Sequence, residues 1–366
     1  MKVGEARSAA VQWVARYARP DAGFRGAYFS GSTIGLPDEA ELPGSSDIDI
    51  FVVTAEEDPP AKPGKLRFQG ALLEVSYLRW SEIASPGDVL ASYHLAGGFR
   101  TDAIIDDPTG HLRRLHAHVS PRFAALPWAR RRCQDARHRI ETRLAAIDTS
   151  APFHEQVASW LFPTGVTCHV LLVAALRNPT IRLRYLAARE VLTDYGHVGL
   201  YPEILSLLGC SHLPAQRVQH HLRELAATFD ATVPVAKTPF FFSSDITPAA
   251  RPIAIDGSQR LIDSGDHREA VFWIVATFAR CHTILATDAP RLHEALTPAF
   301  QAAVADLGIS STHDLLHRAE EVTRLLPRLW QTTENILISN PGITGQGRED
   351  TSRPPSGVRS HLRNHR

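Results

Sequence analysis

Three acidic residues stand out among the side chains that could do chemistry, because each one interrupts an apolar segment. Asp47 and Asp49 flank Ile48 at the start of the apolar run 48–53, and Glu74 lies in the middle of a later apolar run. Successive side chains of a strand point to opposite faces, so the two aspartates share one face while Ile48 takes the other. A charge within an apolar strand is costly without a counter-ion, and Mg²⁺ prefers carboxylate oxygens. The three carboxylates therefore predict a magnesium site.

A Gly-Ser turn precedes the two aspartates. Gly31 and Ser32 follow the apolar run 24–29. Glycine has no side chain to block the close approach of an anion, and the serine can offer a backbone N–H and a hydroxyl to phosphate oxygens. Ser46, directly before Asp47, is either a further phosphate contact or a turn residue at the start of the strand. Carboxylates that could bind a metal ion, next to a turn that could bind phosphate, predict nucleotide chemistry.

The first third of the chain has the patterns of a small sheet that could hold these residues. An amphipathic helix is predicted at 5–18, and a long loop at 33–45 separates the Gly-Ser turn from the aspartates. Gly70 divides a predicted hairpin. Strands are predicted at 24–29, 48–53, 66–68, 71–77 and 103–105.

From about residue 112 the pattern changes to helical periodicity. Helices are predicted at 130–147, 155–176, 181–195, 201–208, 214–229, 266–285, 291–307 and 312–330. The composition beyond position 340 is too poor in apolar residues to form a core. The fold class expected is α+β, with a mixed-sheet domain at 1–122, an all-helical domain at 123–338 and a disordered tail at 339–366.

The composition is that of an ordinary packed protein. The chain has 366 residues, 44% of them apolar, and 39 Lys and Arg balance 39 Asp and Glu. This balance gives no sign of a nucleic-acid or membrane partner. The four cysteines lie far apart, which argues against a disulfide framework or a zinc site and favours buried apolar residues. The segment 1–20 lacks a continuous apolar stretch, so no signal peptide or membrane span is expected there, and a cytoplasmic location is predicted.

The order of these motifs resembles the nucleotidyltransferase superfamily of the polymerase-beta type, in its kanamycin nucleotidyltransferase-like and minimal branch. Gly31-Ser32, then Asp47-Ile48-Asp49, then a lone Glu74 follow that superfamily's pattern. The resemblance implies transfer of a nucleoside monophosphate from a triphosphate, with ATP the first choice, to a hydroxyl of a small aminoglycoside-like acceptor, with Mg²⁺ and release of pyrophosphate. It also implies that the two aspartates are metal ligands, that Gly31 and Ser32 contact phosphate, and that Glu74 is a third ligand or a base.

Several alternatives stay open at this stage. The general base has no motif, and Glu141, Glu155 and Asp194 of the helical region are all candidates. The acceptor could instead be a protein, or the product could be a nucleotide second messenger. A catalytically inactive nucleotide-binding regulator is a rival from another class, and a homodimer could complete the site.

Overall fold

A computed structural model of the chain describes residues 1–59 and 61–345, and its class is α+β, as predicted. The strands are β1 (Phe24–Ser30), β2 (Ile48–Thr54), β3 (Gly64–Phe68), β4 (Ala71–Arg79) and β5 (Ile104–Asp106). The helices are α1 (Val3–Trp13), α2 (Pro86–Ala91), α3 (His111–Val119), α4 (Leu126–Ala145), α5 (Phe153–Ala174), α6 (Arg184–Asp194), α7 (Tyr201–Leu208), α8 (Ala215–Thr232), α9 (Gly257–Asp263), α10 (His267–Asp288), α11 (Pro290–Ala305) and α12 (Thr312–Ser339).

The five strands form one mixed sheet in the order β3-β4-β2-β1-β5. The β2–β4 pair is parallel, and the other neighbouring pairs are antiparallel. The chain leaves β2, forms β3 at the edge of the sheet and returns through the predicted hairpin, so that β4 lies between β3 and β2. This connection brings the strand of Glu74 next to the strand of Asp49.

Helix α1 covers one face of the sheet. Ala6, Ala10 and Trp13 share a buried cluster with Ile48 and Leu73 of the strands. Alanine has the highest helix propensity, and its small side chain lets the helix lie close to the strands. The predicted helix 5–18 is confirmed, and its last turn, Val14–Ala18, is a π-helix. With this face filled, the opposite face of the sheet is left for polar residues and for the helical region.

The helical region is built around α5 and α10. Both helices have the length and hydropathy of a membrane span, but 83% and 78% of their most apolar windows are buried inside the fold. Here they act as core helices, which explains their apolar character on all sides. The four cysteines are buried and free, which confirms their interpretation as apolar core residues.

The region between sheet and helices is more helical than predicted. The short helices α2, α3 and α9 were not predicted, because segments this short leave little periodicity. Helix α2 nevertheless carries a local start signal, since the Ser85 side chain accepts from the Asp88 N–H. The hydrophobic cluster on this side contains Leu112 and Leu115 together with Ala129 and Cys133, so the predicted boundary at 122 lies within one continuous core.

The end of the described chain is packed, in contrast to the predicted tail from 339. Helix α12 continues to Ser339, nine residues beyond its predicted end at 330. The Asn340 side chain donates to the Ala174 carbonyl at 3.1 Å, and the Thr344 N–H donates to the Ala124 carbonyl at 2.9 Å. Ile343 is buried in the main core. The rest of the predicted tail, 346–366, lies outside the described residues.

Candidate functional site

Four polar residues from four strands form a row across the sheet. Asp49 on β2 lies beside Glu74 on β4 and beside Ser30 on β1. Lys65 on β3 pairs with Glu74 from the other side. Residues directly opposite each other on neighbouring strands project to the same face. Because Ile48 and Ile50 pack on the α1 side, this row faces the helical region.

Asp47, just before β2, adds the third predicted carboxylate to this row. One carboxylate oxygen from each of Asp47, Asp49 and Glu74 lies within 4.8 Å of the others. All three side chains are half-buried. The structure thus brings together the three acidic residues that the sequence analysis selected.

The Gly-Ser turn lies against this carboxylate cluster. Gly31 has φ +71°, in the left-handed region, and a Cβ atom built on it would lie only 1.6 Å from Oδ2 of Asp49. The carboxylate therefore occupies the space that any other residue at this position would fill. Ser32 is exposed, next to the buried Thr33, and lines the same cavity as the aspartates. The predicted phosphate-binding turn is therefore in direct contact with the predicted metal ligand Asp49.

Ser46 lines the cavity as well, at the end of the loop before β2. Its backbone N–H donates to the Pro43 carbonyl at 2.9 Å. The backbone of this serine therefore takes part in a turn, as in one of its two predicted roles. Its place in the cavity wall leaves the phosphate-contact role as a prediction.

Two lysines hold Glu74. Lys62 Nζ lies 3.0 Å from one carboxylate oxygen of Glu74, and Lys65 contacts the other. Lys65 Nζ also lies 3.5 Å from Oδ2 of Asp47, and its side chain is only 6% exposed. Burial alone would raise the pKa of Glu74, but the two ammonium groups outweigh burial and lower this pKa to about 2. Glu74 is therefore a firmly ionised carboxylate.

The environment of Asp49 shifts its pKa in the opposite direction to that of Glu74. Within the described residues its carboxylate accepts no hydrogen bond and lies in no ion pair. Its pKa is raised well above the ordinary value, first by burial and then by the negative charges of Asp47 and Glu74. A carboxylate in this environment is stabilised by a cation that also contacts its acidic neighbours.

These features together test whether the residues fit a divalent cation. Three converging carboxylates match the oxygen ligands that Mg²⁺ prefers, and the unpaired Asp49 gives an excess of negative charge at their centre. Lys65 balances part of that charge through Asp47 and Glu74 and leaves Asp49 without a direct partner. The donor set therefore fits magnesium bound through Asp47, Asp49 and Glu74.

The helical region reaches the site through the segment Ser243–Asp245. Asp245 Oδ1 lies 2.8 Å from Lys65 Nζ, and its Oδ2 lies 2.7 Å from Nη1 of Arg280 on α10. Gly64 makes this approach possible, because a Cβ atom built there would lie 2.0 Å from Cβ of Ser244. Lys65 is thus shared between the sheet and the helical region, which connects the two sides of the site.

A second segment, between α5 and α6, closes the other side of the turn. The side-chain amide of Asn178 donates to the Gly31 carbonyl. Arg182 lines the cavity, and burial lowers its pKa, with Arg260 adding to that effect and the negative charge of Asp47 opposing it. The guanidinium donates to the Gly257 carbonyl at 3.3 Å and adds a positive charge to the cavity wall.

Between the sheet and the helical region lies a cavity of about 500 Å³. Its wall includes all six residues predicted to act in the site: Gly31, Ser32, Ser46, Asp47, Asp49 and Glu74. Aromatic side chains from the helical region form further parts of the wall: Phe162, Phe241, Phe242 and Trp273. Of these, Phe241 is 80% exposed.

The three candidates for the general base do not lie in this cavity. Glu141 pairs with Arg137 on the same helix, and Asp194 pairs with Arg177 beside a separate groove. Glu155 lies in the first turn of α5, with Oε1 3.9 Å from Nε2 of its neighbour His154. Helical periodicity shows that these residues are on helices, but it does not show which helix faces the sheet. Within the described part of the helical region, Asp245 is the carboxylate that lines the cavity.

Four residues of the cavity wall were not predicted from the sequence: Lys62, Lys65, Asp245 and Arg280. One signal was available, since the chain has only four lysines and two of them lie three residues apart just before a predicted strand. Because lysine is rare in this chain, a lysine pair was a stronger indication of a specific role than any single arginine. Asp245 and Arg280 had no comparable signal, because each is one of many acidic or basic residues in the helical region.

The sequence was compared with protein-family models and with curated protein sequences. The chain matches no protein-family model, and no curated protein sequence matches it. The function of the protein must therefore be inferred from the geometry of the carboxylate cluster, the Gly31 turn and the cavity, together with the order of the sequence motifs.

Proposed function

We propose that this protein is a Mg²⁺-dependent nucleotidyltransferase of the polymerase-beta type. The observation that carries the proposal is the convergence of Asp47, Asp49 and Glu74 within 4.8 Å of one another, with Gly31 against the unpaired Asp49. Nucleotidyl transfer needs this combination, because the triphosphate must be held in line with the acceptor and its developing charge must be neutralised.

In the proposed reaction the triphosphate lies along the Gly31-Ser32 turn, with its α-phosphate at the carboxylate cluster. Asp47, Asp49 and Glu74 would hold the magnesium, which would supply the positive charge that the transferring phosphate needs. The oxygen of an acceptor hydroxyl attacks the α-phosphorus, the bond from that phosphorus to the bridging oxygen breaks, and pyrophosphate leaves. The hydroxyl proton passes to a base or to solvent.

The electrostatics favour one of the two roles predicted for Glu74. Lys62 and Lys65 lower its pKa to about 2, and a carboxylate with so low a pKa is a poor proton acceptor near neutral pH. We therefore assign Glu74 to metal binding. Arg182 lines the same cavity, and its positive charge would help to neutralise the triphosphate.

The size of the cavity favours a small acceptor. A volume of about 500 Å³ lies within the range of roughly 300–1,000 Å³ common for small-molecule sites. A nucleotide and a small hydroxylated molecule can share such a space with the cavity's open side. This favours a small acceptor, as in the aminoglycoside-modifying relatives of the predicted superfamily, over modification of a protein.

The test is nucleotide binding followed by turnover. Each of the four triphosphates is titrated into the protein with and without Mg²⁺, and pyrophosphate release is then measured with a panel of hydroxylated acceptors. We expect at least one triphosphate to bind in a Mg²⁺-dependent way and to be turned over. Asp47→Asn and Asp49→Asn are expected to reduce turnover by at least about 100-fold, since each removes a ligand charge.

Asp58→Asn is the matched control. Asp58 is an exposed aspartate in the connection between β2 and β3, so the same substitution there should leave both readouts unchanged. Binding of a triphosphate without any pyrophosphate release would support the inactive regulator instead. Equal Mg²⁺-dependent binding by wild type and Asp49→Asn would refute the metal assignment.

A further inference from the structure

The two sides of the cavity differ in charge. Its four carboxylates all belong to one centre, in which Lys62 and Lys65 hold Glu74 and Arg280 holds Asp245. Away from this centre the cavity wall in the described chain carries no acidic residue. It carries four more arginines: Arg139, Arg143, Arg182 and Arg184. None of the four forms an ion pair with a carboxylate in the described residues.

Two of these arginines have other roles. Arg184 is buried, lies with Cζ 3.9 Å from the centre of the Phe272 ring, and donates from Nε to the Ile181 carbonyl at 2.7 Å. Arg182 donates from Nη1 to the Gly257 carbonyl at 3.3 Å. Arg139 and Arg143 remain as the two guanidinium groups without an assigned function.

Arg139 and Arg143 are one turn apart on α4, so they share a face of that helix. The guanidinium of Arg139 lies over the ring of Tyr93, 5.3 Å from its centre, and this stacking restricts its orientation. Tyr93 and His94 line the cavity with them. The planar guanidinium fork matches the oxygens of a phosphate or carboxylate, and stacking on an aromatic ring leaves that fork free to donate.

The surroundings of this pair leave its positive charge uncancelled. Burial, followed by the charge of Arg139, lowers the pKa of His94, so the imidazole beside the pair is neutral at pH 7. Asp135, one turn before Arg139 on α4, accepts the Tyr93 N–H at 3.0 Å and lines a separate groove. Two unpaired guanidiniums in a cavity wall are a site for an anion.

We propose that Arg139 and Arg143 bind an anionic group of the acceptor, so that the acceptor is a small hydroxylated phosphate or carboxylate. This inference rests on the proposed nucleotidyltransferase function and changes the acceptor class that the sequence resemblance implied. A polycationic aminoglycoside needs carboxylates around its ammonium groups. The wall outside the metal centre offers it four arginines instead.

Calorimetric titration of the intact protein tests the proposal. The protein is first saturated with Mg²⁺ and a non-hydrolysable ATP analogue, and then titrated with ribose 5-phosphate, ribose or kanamycin. We expect binding of ribose 5-phosphate and much weaker binding of the two others. Arg139→Gln and Arg143→Gln should each weaken ribose 5-phosphate about tenfold, the effect of one lost charge-assisted hydrogen bond, while affinity for the analogue stays the same.

Arg131→Gln is the matched control. Arg131 is on the same helix, but its guanidinium stacks on Trp128 and it lines a different groove, so its loss should change neither affinity. Tighter binding of kanamycin than of ribose 5-phosphate, or equal binding of ribose and ribose 5-phosphate, would overturn the proposal. So would a loss of analogue affinity in Arg139→Gln and Arg143→Gln, since the pair would then serve the triphosphate.

The two proposals fail in different ways. If non-hydrolysable analogues of all four triphosphates fail to bind with Mg²⁺, the nucleotidyltransferase function is refuted. Ribose 5-phosphate is then titrated into the free protein, where the arginine pair should still bind it with the same dependence on Arg139 and Arg143. Absence of that binding in the free protein and in the analogue complex would refute the anion site itself.

Discussion

Replacing Asp49 by asparagine should stabilise the protein in the absence of divalent cations and destroy its response to Mg²⁺. The substitution keeps the shape of the side chain and removes a charge that no partner in the described structure balances directly. At 4.8 Å, two like charges repel by about 3.5 kcal/mol at an effective dielectric constant near 20, and Asp49 has two such neighbours, Asp47 and Glu74. Lys65 and Lys62 offset part of this repulsion. We therefore expect Asp49→Asn to raise the free energy of unfolding by about 1–3 kcal/mol above neutral pH.

The pH dependence of this gain has a definite sign. A raised pKa in the folded state means that folded Asp49 holds its proton more tightly than the unfolded chain does. The stability contributed by protonated Asp49 is therefore lost as the pH rises from the unfolded pKa of about 3.9 through the raised folded value. Asparagine does not titrate, so the gain from Asp49→Asn should be near zero at pH 4 and largest at pH 8.

Urea unfolding at pH 4 and pH 8, in EDTA and then with excess Mg²⁺, measures all of these effects. Magnesium at about 100 times its Kd would stabilise the wild type by about 2.7 kcal/mol, whereas Asp49→Asn should gain little. The reasoning is wrong if Asp49→Asn is less stable than the wild type in EDTA at pH 8. It is equally wrong if both proteins gain the same stability from Mg²⁺.

Two further predictions concern the turn and the helical core. Gly31→Ala should displace the Asp49 carboxylate, destabilise the protein by about 1–3 kcal/mol and abolish its stabilisation by Mg²⁺. Gly35→Ala should be neutral, because a Cβ atom built there meets nothing within 4 Å. Thermal unfolding with and without Mg²⁺ measures the stability of both variants. His282 is fully buried with both ring nitrogens unpartnered, and burial, with His293 and His154, lowers its pKa to about 3. Because the unfolded chain binds a proton at His282 more readily than the folded protein does, the free energy of unfolding falls as the pH drops from the unfolded pKa of about 6.5 towards 3. Phenylalanine does not titrate, so His282→Phe should lose about 2 kcal/mol less stability than the wild type between pH 7 and pH 5. His138→Phe, at an exposed position, should leave that slope unchanged in the same urea titrations.

Local patterns predicted much of the fold because they depend on neighbours in the chain. The alternation around Ile48 predicts which side chains share a face of β2, and the structure places Asp47 and Asp49 accordingly. The long helices were predicted for the same reason, since a period near 3.6 is a property of a single segment. The short helices α2 and α9 were missed because one or two turns leave little periodicity to read.

The base candidates show where such reasoning stops. Glu141, Glu155 and Asp194 are all on predicted helices, yet none of them lines the cavity. Asp245 was not considered, although it contacts Lys65 directly. Which helix or loop faces the sheet depends on how whole elements pack, and no residue pattern within one helix records that choice.

The sequence by itself determined the acidic side chains on one face of β2, the glycine turn before them and the apolar helices of the core. Only the tertiary structure decided that β4 returns beside β2, so that Glu74 joins Asp49, and that Lys65 meets Asp245, 180 residues away. It also decided that Arg139 and Arg143 line the cavity. The physical reason is that side-chain periodicity defines the buried face of each element, whereas the packing of distant elements against one another brings their charges together.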